Sequence, residues 1–157
     1  MRIEYFQLID RIVDLNLADR KITCEATVPT DCTIFEGHFP GYPLMPGVLL
    51  IEAMAQTSGW LVVAANEFKR MAFLASVKEA KMRTFVLPGQ VLSISSHLEH
   101  EGSGYAVLNA KIRCDGKVVS DATLTLRILD FPNNQVAKEM RKLAESIGLK
   151  IEARADG

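Results

Sequence analysis

Val48-Leu49-Leu50-Ile51-Glu52-Ala53-Met54-Ala55-Gln56-Thr57-Ser58-Gly59-Trp60-Leu61-Val62-Val63-Ala64-Ala65 is the stretch on which the fold turns. A run of this length and apolarity borders on what spans a bilayer. Glu52, Gln56, Thr57, Ser58 and Gly59 interrupt it, and a carboxylate at mid-membrane costs about 2.5–3.5 kcal/mol on insertion scales. The residues before it, 38–47, are a Pro/Gly-rich loop without basic anchors. The expectation is therefore no membrane span. The stretch reads instead as a helix, apolar all round because protein surrounds it, running to about Phe68.

The rest of the chain is sized to supply that surrounding protein. At 157 residues it corresponds to one domain. A hydrophobic share of 48%, with only 10 Gly and 6 Pro, excludes disorder and leaves apolar surface for a partner. Eighteen Lys and Arg against 19 Asp and Glu leave no basic footprint for phosphates, which excludes nucleic acid as partner. Cys24, Cys32 and Cys114 are odd in number and form no Cys-x-x-Cys pair, so neither a disulfide framework nor a zinc site is suggested. Met1-Arg2-Ile3-Glu4-Tyr5 lacks the basic-then-apolar order of a secretory leader, and a cytoplasmic location is the expectation.

Outward from the helix, Ile3, Phe6, Leu8 and Ile9 suggest a short amphipathic helix over residues 3–9. Lys21 to Val28 alternates, with Ile22, Cys24, Ala26 and Val28 on one face, which marks a half-buried strand. Residues 30–46 read as an irregular connection, with Pro46 suited to the first helical turn. Phe73–Val86, Val91–His100, Tyr105–Cys114 and Lys117–Leu129 read as strands. Between them lie Pro88-Gly89, Gly102-Ser103-Gly104 and Asp115-Gly116; Asp-Gly between two strands is a hairpin signal. Val136, Met140, Leu143 and Ile147 share one face of a final helix, with Gly148 at its C-terminal end. The fold class is α+β, a long early helix wrapped by an antiparallel sheet.

Several constellations carry no chemistry on this reading. His97 and His100 are three apart on a strand and point to opposite faces, so no metal site is assigned. Cys24 belongs to a core face. Gly102-Ser103-Gly104 precedes a strand and is too short for a phosphate loop. No Gly-x-Ser-x-Gly elbow occurs.

One constellation remains. His38 sits in a loop stiffened by Pro40, Pro43 and Pro46. Gly47 falls at the helix N-terminus, where free N–H groups and the helix dipole favour developing negative charge. Glu52 and Gln56 are one turn apart and share a face. A carboxylate among Leu50, Ile51, Ala53 and Ala55 is favoured in its protonated form, which suits a general acid. A neutral imidazole is the natural base to accompany it. The pair fits proton abstraction beside a carbonyl with acid-assisted loss of a leaving group, the Gly47 N–H polarising the carbonyl oxygen. Structural roles for His38 and Glu52 as loop and core hydrogen-bonding groups are the alternative.

His38-Phe39-Pro40-Gly41-x-Pro43-x-x-Pro46-Gly47-Val48-Leu49-x-x-Glu52-Ala53-Met54-Ala55-Gln56 closely resembles the signature of the 3-hydroxyacyl-acyl-carrier-protein dehydratases of the hot-dog fold. The resemblance extends more loosely through residues 73–91. It implies dehydration of (3R)-3-hydroxyacyl-carrier substrates to trans-2-enoyl products in fatty acid synthesis, without a cofactor or metal. It implies His38 as base and Glu52 as acid, contributed by opposite subunits of a homodimer, often three dimers to a hexamer. Gly47, Gln56, Val48 and Phe39 are then substrate-binding residues. Glu rather than Asp at position 52 resembles the branch that dehydrates without isomerising. The implied partner is acyl carrier protein with its phosphopantetheine-linked acyl chain. Lys78, Lys81 and Arg83 are candidates for docking that acidic carrier, a solvated strand face being the alternative.

Gln90 departs from the Asp common in relatives at that turn and is assigned no role. On this reading residues 1–132 form the hot-dog domain and 133–157 a helical extension of it. The extension, with Glu101-Gly102-Ser103-Gly104-Tyr105, resembles a subgroup serving the very-long-chain acyl groups of lipid A. A hot-dog acyl thioesterase and a non-catalytic acyl-binding module are the competing functions.

Overall fold

The computed structural model describes residues 1–150. Three of the polar groups that interrupt the long apolar stretch, Glu52, Gln56 and Ser58, find partners in protein. Ser58 and Ser96 join their hydroxyls at 2.7 Å, both fully buried, and Gln56 bonds the N-terminal segment. Helix α2 (Gly47–Ala65) is long and apolar enough to cross a membrane, yet ten of its 19 residues are buried inside the fold.

Six antiparallel strands wrap it: β1 (Arg11–Asn16), β2 (Lys21–Thr27), β3 (Arg70–Met82), β4 (Val91–Gly102), β5 (Tyr105–Cys114) and β6 (Lys117–Asp130), in the order β1-β2-β4-β5-β6-β3. Helix α2 packs against β2 through β6. This is the hot-dog arrangement, and the α+β expectation holds. Period-two alternation decides which side chains meet the helix: Ile22, Cys24 and Ala26 from β2, and Ala106, Leu108, Ala110 and Ile112 from β5, are all buried. Each such large apolar side chain contributes about 1.5–3 kcal/mol on full burial.

The turns follow their residues. Asp115 and Gly116 have φ of 49° and 75°, the positive pair that a tight hairpin of this hand needs. Ser103 and Gly104 do the same at 55° and 79°.

Several elements differ from the sequence reading. Only Ile3–Tyr5 is helical near the N-terminus, a single 3-10 turn; Leu8 and Ile9 follow in extended chain and enter the core. Strand β1 is additional, as is the five-residue helix α1 (Thr33–Gly37) inside the irregular connection. Pro46 precedes the first turn of α2 rather than entering it. Helix α2 stops at Ala65, before Phe68, because the Asn66 side chain takes the Val62 carbonyl and the chain turns through positive φ at Glu67 and Phe68. Strand β3 ends at Met82, since Val86 turns inward and its carbonyl accepts from Met45 N–H at 2.8 Å. At His97 the expected face alternation is broken by a register shift between Leu98 and His100, and His97 bonds Glu99 at 2.8 Å. No three metal-ligating side chains converge among the described residues.

Helix α3 (Asn134–Ser146) docks onto the body of the fold. The Asn133 side chain caps it by accepting from Val136 N–H at 2.9 Å. Gly148, at φ +88°, ends it: Gly148 N–H bonds the Glu145 carbonyl and Leu149 N–H the Ala144 carbonyl, a Schellman closure. Ala144, Ile147 and Leu149 enter the same core cluster as Trp60, Leu61 and Phe68. The Arg141 guanidinium lies 4.8 Å from the centre of the Phe68 ring. The end of the expected extension, 151–157, lies outside the described residues.

Candidate active site

The histidine is oriented by its own loop. Helix α1 ends with His38 N–H on the Ile34 carbonyl, and the loop returns so that Leu44 N–H bonds the His38 carbonyl at 2.9 Å. Between them Phe39 and Tyr42 exchange both backbone hydrogen bonds, with Gly41 at φ +74° closing the turn. The His38–Phe39 peptide is cis, and the two rings stack at 4.1 Å. The His38 Nδ1 lies 3.0 Å from the Leu44 carbonyl oxygen. A carbonyl can only accept, so Nδ1 carries the proton and Nε2 presents a lone pair. The imidazole is half-buried.

The carboxylate is held from a different direction. Gln56 donates through Nε2 to Glu52 Oε1 at 3.0 Å and to the Phe6 carbonyl at 2.9 Å. Its Oε1 accepts from Leu8 N–H at 3.0 Å. Both amide hydrogens and the amide oxygen are engaged, so Gln56 has one orientation and fixes one face of Glu52. The segment Phe6–Leu8, which carries no motif of its own, is thus part of the site through its backbone.

Glu52 opens into a cleft of about 360 Å³ whose walls come from the N-terminal segment, α2, β3, β6 and α3. A cleft of this volume lies within the range of small-molecule sites. His38 is not among its walls. The chain thus joins Glu52 to Gln56, and His38 to Phe39, and His38 does not line the cleft into which Glu52 opens.

Gly47 begins α2, and the Pro46 carbonyl takes the N–H groups of Leu49 and Leu50, leaving those of Gly47 and Val48 ahead of the helical ladder. A Cβ at Gly47 would stand 3.2 Å from Met82 Cγ. Val48 and Phe39 are exposed, at 71% and 49%. Lys78 and Lys81 are exposed on β3. Arg83 is paired with Asp121, whose carboxyl that guanidinium holds below the usual range, chiefly by hydrogen bonding.

The remaining nucleophile candidates are quiet. All three cysteines are free and buried. Burial pushes the Cys24 thiol up to about 12, only partly offset by the Thr57 hydroxyl beside it. It stays a thiol at neutral pH and acts as core packing.

A central helix enclosed by an antiparallel sheet, with a carboxylate on that helix facing a cleft, places the chain in the class of hot-dog proteins. Solved structures agree on the fold. The dehydratase heterocomplex ApeI:P from Xenorhabdus doucetiae superposes with a TM-score of 0.60 at 21% identity, covering 87% of this chain and 90% of that one. A hypothetical thioesterase with coenzyme A from Streptococcus pneumoniae TIGR4 gives 0.60 at 17% identity, covering 78% and 88%. At such identities the likeness concerns the fold alone. The family is decided by sequence: residues 2–123 match the FabA-like domain. Relatives include the 3-hydroxyacyl-[acyl-carrier-protein] dehydratase FabZ of Acidiphilium cryptum, 41% identical over 128 residues, covering 80% of this chain and 77% of the relative. That of Streptococcus thermophilus is 38% identical over 122 residues, covering 77% and 85%. The chain belongs to the FabA-like family.

Proposed function

We infer that this chain is a hydro-lyase that dehydrates (3R)-3-hydroxyacyl-acyl-carrier-protein to the trans-2-enoyl thioester in fatty acid synthesis. The observation that carries the reading is an imidazole fixed at Nδ1 and free at Nε2, together with a carboxylate held by Gln56 on the central helix. His38 Nε2 takes the C2 proton while Glu52 gives a proton to the C3 hydroxyl. The C3–O bond breaks, the C2–C3 double bond forms and water leaves. The Gly47 N–H receives the thioester oxygen as enolate character develops, where the start of α2 favours negative charge. Gln56 orients Glu52, and Val48 and Phe39 border the thioester. The chemistry asks for no cofactor or metal.

His38 and Glu52 meet across a homodimer, the base of one protomer facing the acid of the other. That His38 does not line the cleft of its own chain's Glu52 supports this. So does β3, a 13-residue edge strand bonded on one side to β6, with Phe73, Leu74, Val77 and Met82 exposed. A long apolar edge of this kind is normally covered. Pairing there brings a second protomer to the cleft that Phe73 and Leu74 border. Three such dimers make the proposed hexamer. Exposed Lys78 and Lys81 suit an acidic carrier protein; Arg83 already serves Asp121. The free cysteines suit the cytoplasm, and helix α3 beyond the family match supports the lipid A subgroup with its very long acyl chains.

The test is hydration of an enoyl-carrier substrate, followed by loss of enoyl-thioester absorbance alongside an assay for free thiol. Absorbance loss without thiol release is expected. Thiol release would instead make the protein a thioesterase, and no change in either would leave an acyl-binding module.

A further inference from the structure

The cleft that begins at Glu52 does not end in the family core. Its α2 wall runs through Glu52, Ala55, Gln56, Gly59, Trp60 and Val63, at i, i+3, i+4, i+7, i+8 and i+11 and so along one side of the helix. From Glu52 to Val63 the helix rises about 16 Å at 1.5 Å per residue. Gly59 leaves open space where a Cβ would stand, with nothing within 4 Å. The polar side chains of the cleft, Gln7, Glu52 and Gln56, gather at one end, and the rest of the lining is apolar. A polar head with an apolar channel behind it matches a thioester followed by a hydrocarbon chain.

The far wall is helix α3, which lies beyond residues 2–123 of the family match. Met140, Leu143 and Ile147 line the cleft from its apolar face. The helix is anchored independently of that role, by buried Ala144 and Leu149 and by Arg141 on the Phe68 carbonyl at 3.3 Å. Met140 and Leu143 remain only partly buried, so they present apolar surface that the protein itself does not cover. We infer that Met140, Leu143 and Ile147 form the distal wall of the acyl channel and set the chain length this enzyme accepts. The inference rests on the dehydratase reading above.

The test compares kcat/KM of the full-length protein on short, medium and long enoyl-carrier substrates. The variants are Leu143→Trp, which fills the channel, and the pair Met140→Ala with Leu143→Ala, which opens it. Circular dichroism and thermal melting check folding. Leu143→Trp is expected to lower kcat/KM for long chains by about tenfold or more, in line with the steric discrimination of hydrocarbon pockets, and to lower the short-chain value by far less. The double alanine variant, expected to fold because both positions are partly exposed, moves the preference toward longer chains. Folded variants that keep the wild-type profile, or that lose activity equally at every length, would overturn the inference alone. A wild type inactive on every length would overturn the dehydratase reading, and this inference with it.

Discussion

Gln56 Nε2 stands 3.0 Å from Glu52 Oε1 and 2.9 Å from the Phe6 carbonyl oxygen, tying the carboxylate to a segment almost fifty residues earlier in the chain. Gln56→Ala removes both bonds and leaves the Leu8 N–H without its acceptor. An unsatisfied donor in a part-buried setting costs about 1–3 kcal/mol. Denaturant unfolding should show a loss of that size. Activity should fall mainly in kcat, with KM little changed, because Gln56 acts through Glu52.

His38→Ala removes the proposed base and, from the packing, only the stack on exposed Phe39 and the bond to the Leu44 carbonyl. The expected loss in kcat is about 10²–10⁴-fold, the usual contribution of a general base. The circular dichroism spectrum should not change. Retained activity in this variant would transfer the base role elsewhere.

Cys24 predicts the alkaline behaviour. Its folded thiol titrates at about 12 against 9.0 in the unfolded chain, so above pH 9 the unfolded state holds fewer protons than the folded one. Stability from this group is fully present below pH 9 and is lost as pH rises toward 12, with a slope of at most about 1.4 kcal/mol per pH unit. Cys24→Ala should flatten that decline in urea unfolding measured across the range. In the native protein near neutral pH, the same thiol should resist alkylation until the chain unfolds.

The edge strand predicts the assembly. Val77 lies near the middle of β3 and is 36% exposed. Val77→Lys places a charge on the edge proposed to pair and should convert dimers to monomers in sedimentation velocity. Activity should disappear in step with the dimer. A fully active monomer would separate the site from the interface.

Much of this was legible in the sequence for identifiable reasons. Strands β2, β4, β5 and β6 each bury one face against a single helix, so their side chains alternate and their turns carry Gly. Strand β1 pairs with one neighbour only and leaves most of Arg11–Asn16 exposed, which removes the alternation that would have marked it. The end of α2 depended on Asn66, a residue whose capping role needs the folded turn to appear. At the site, Glu52 and Gln56 were visible from their spacing. The groups that orient Gln56 and His38 are backbone atoms, the Phe6 carbonyl, the Leu8 N–H and the Leu44 carbonyl, and main-chain atoms leave no trace in residue type. The contribution of α3 to the cleft was hidden for a related reason. Its amphipathic face reads the same whether it covers a core or walls a channel.

The most direct test of a dehydratase site shared between subunits is complementation. His38→Ala and Glu52→Gln chains, each inactive alone, are mixed under conditions of confirmed subunit exchange, and dehydratase activity is measured on a hydroxyacyl-carrier substrate. Random pairing makes half the dimers mixed, each with one intact site of two, so activity should return to about a quarter of wild type. Confirmed exchange with no recovery would contradict the account.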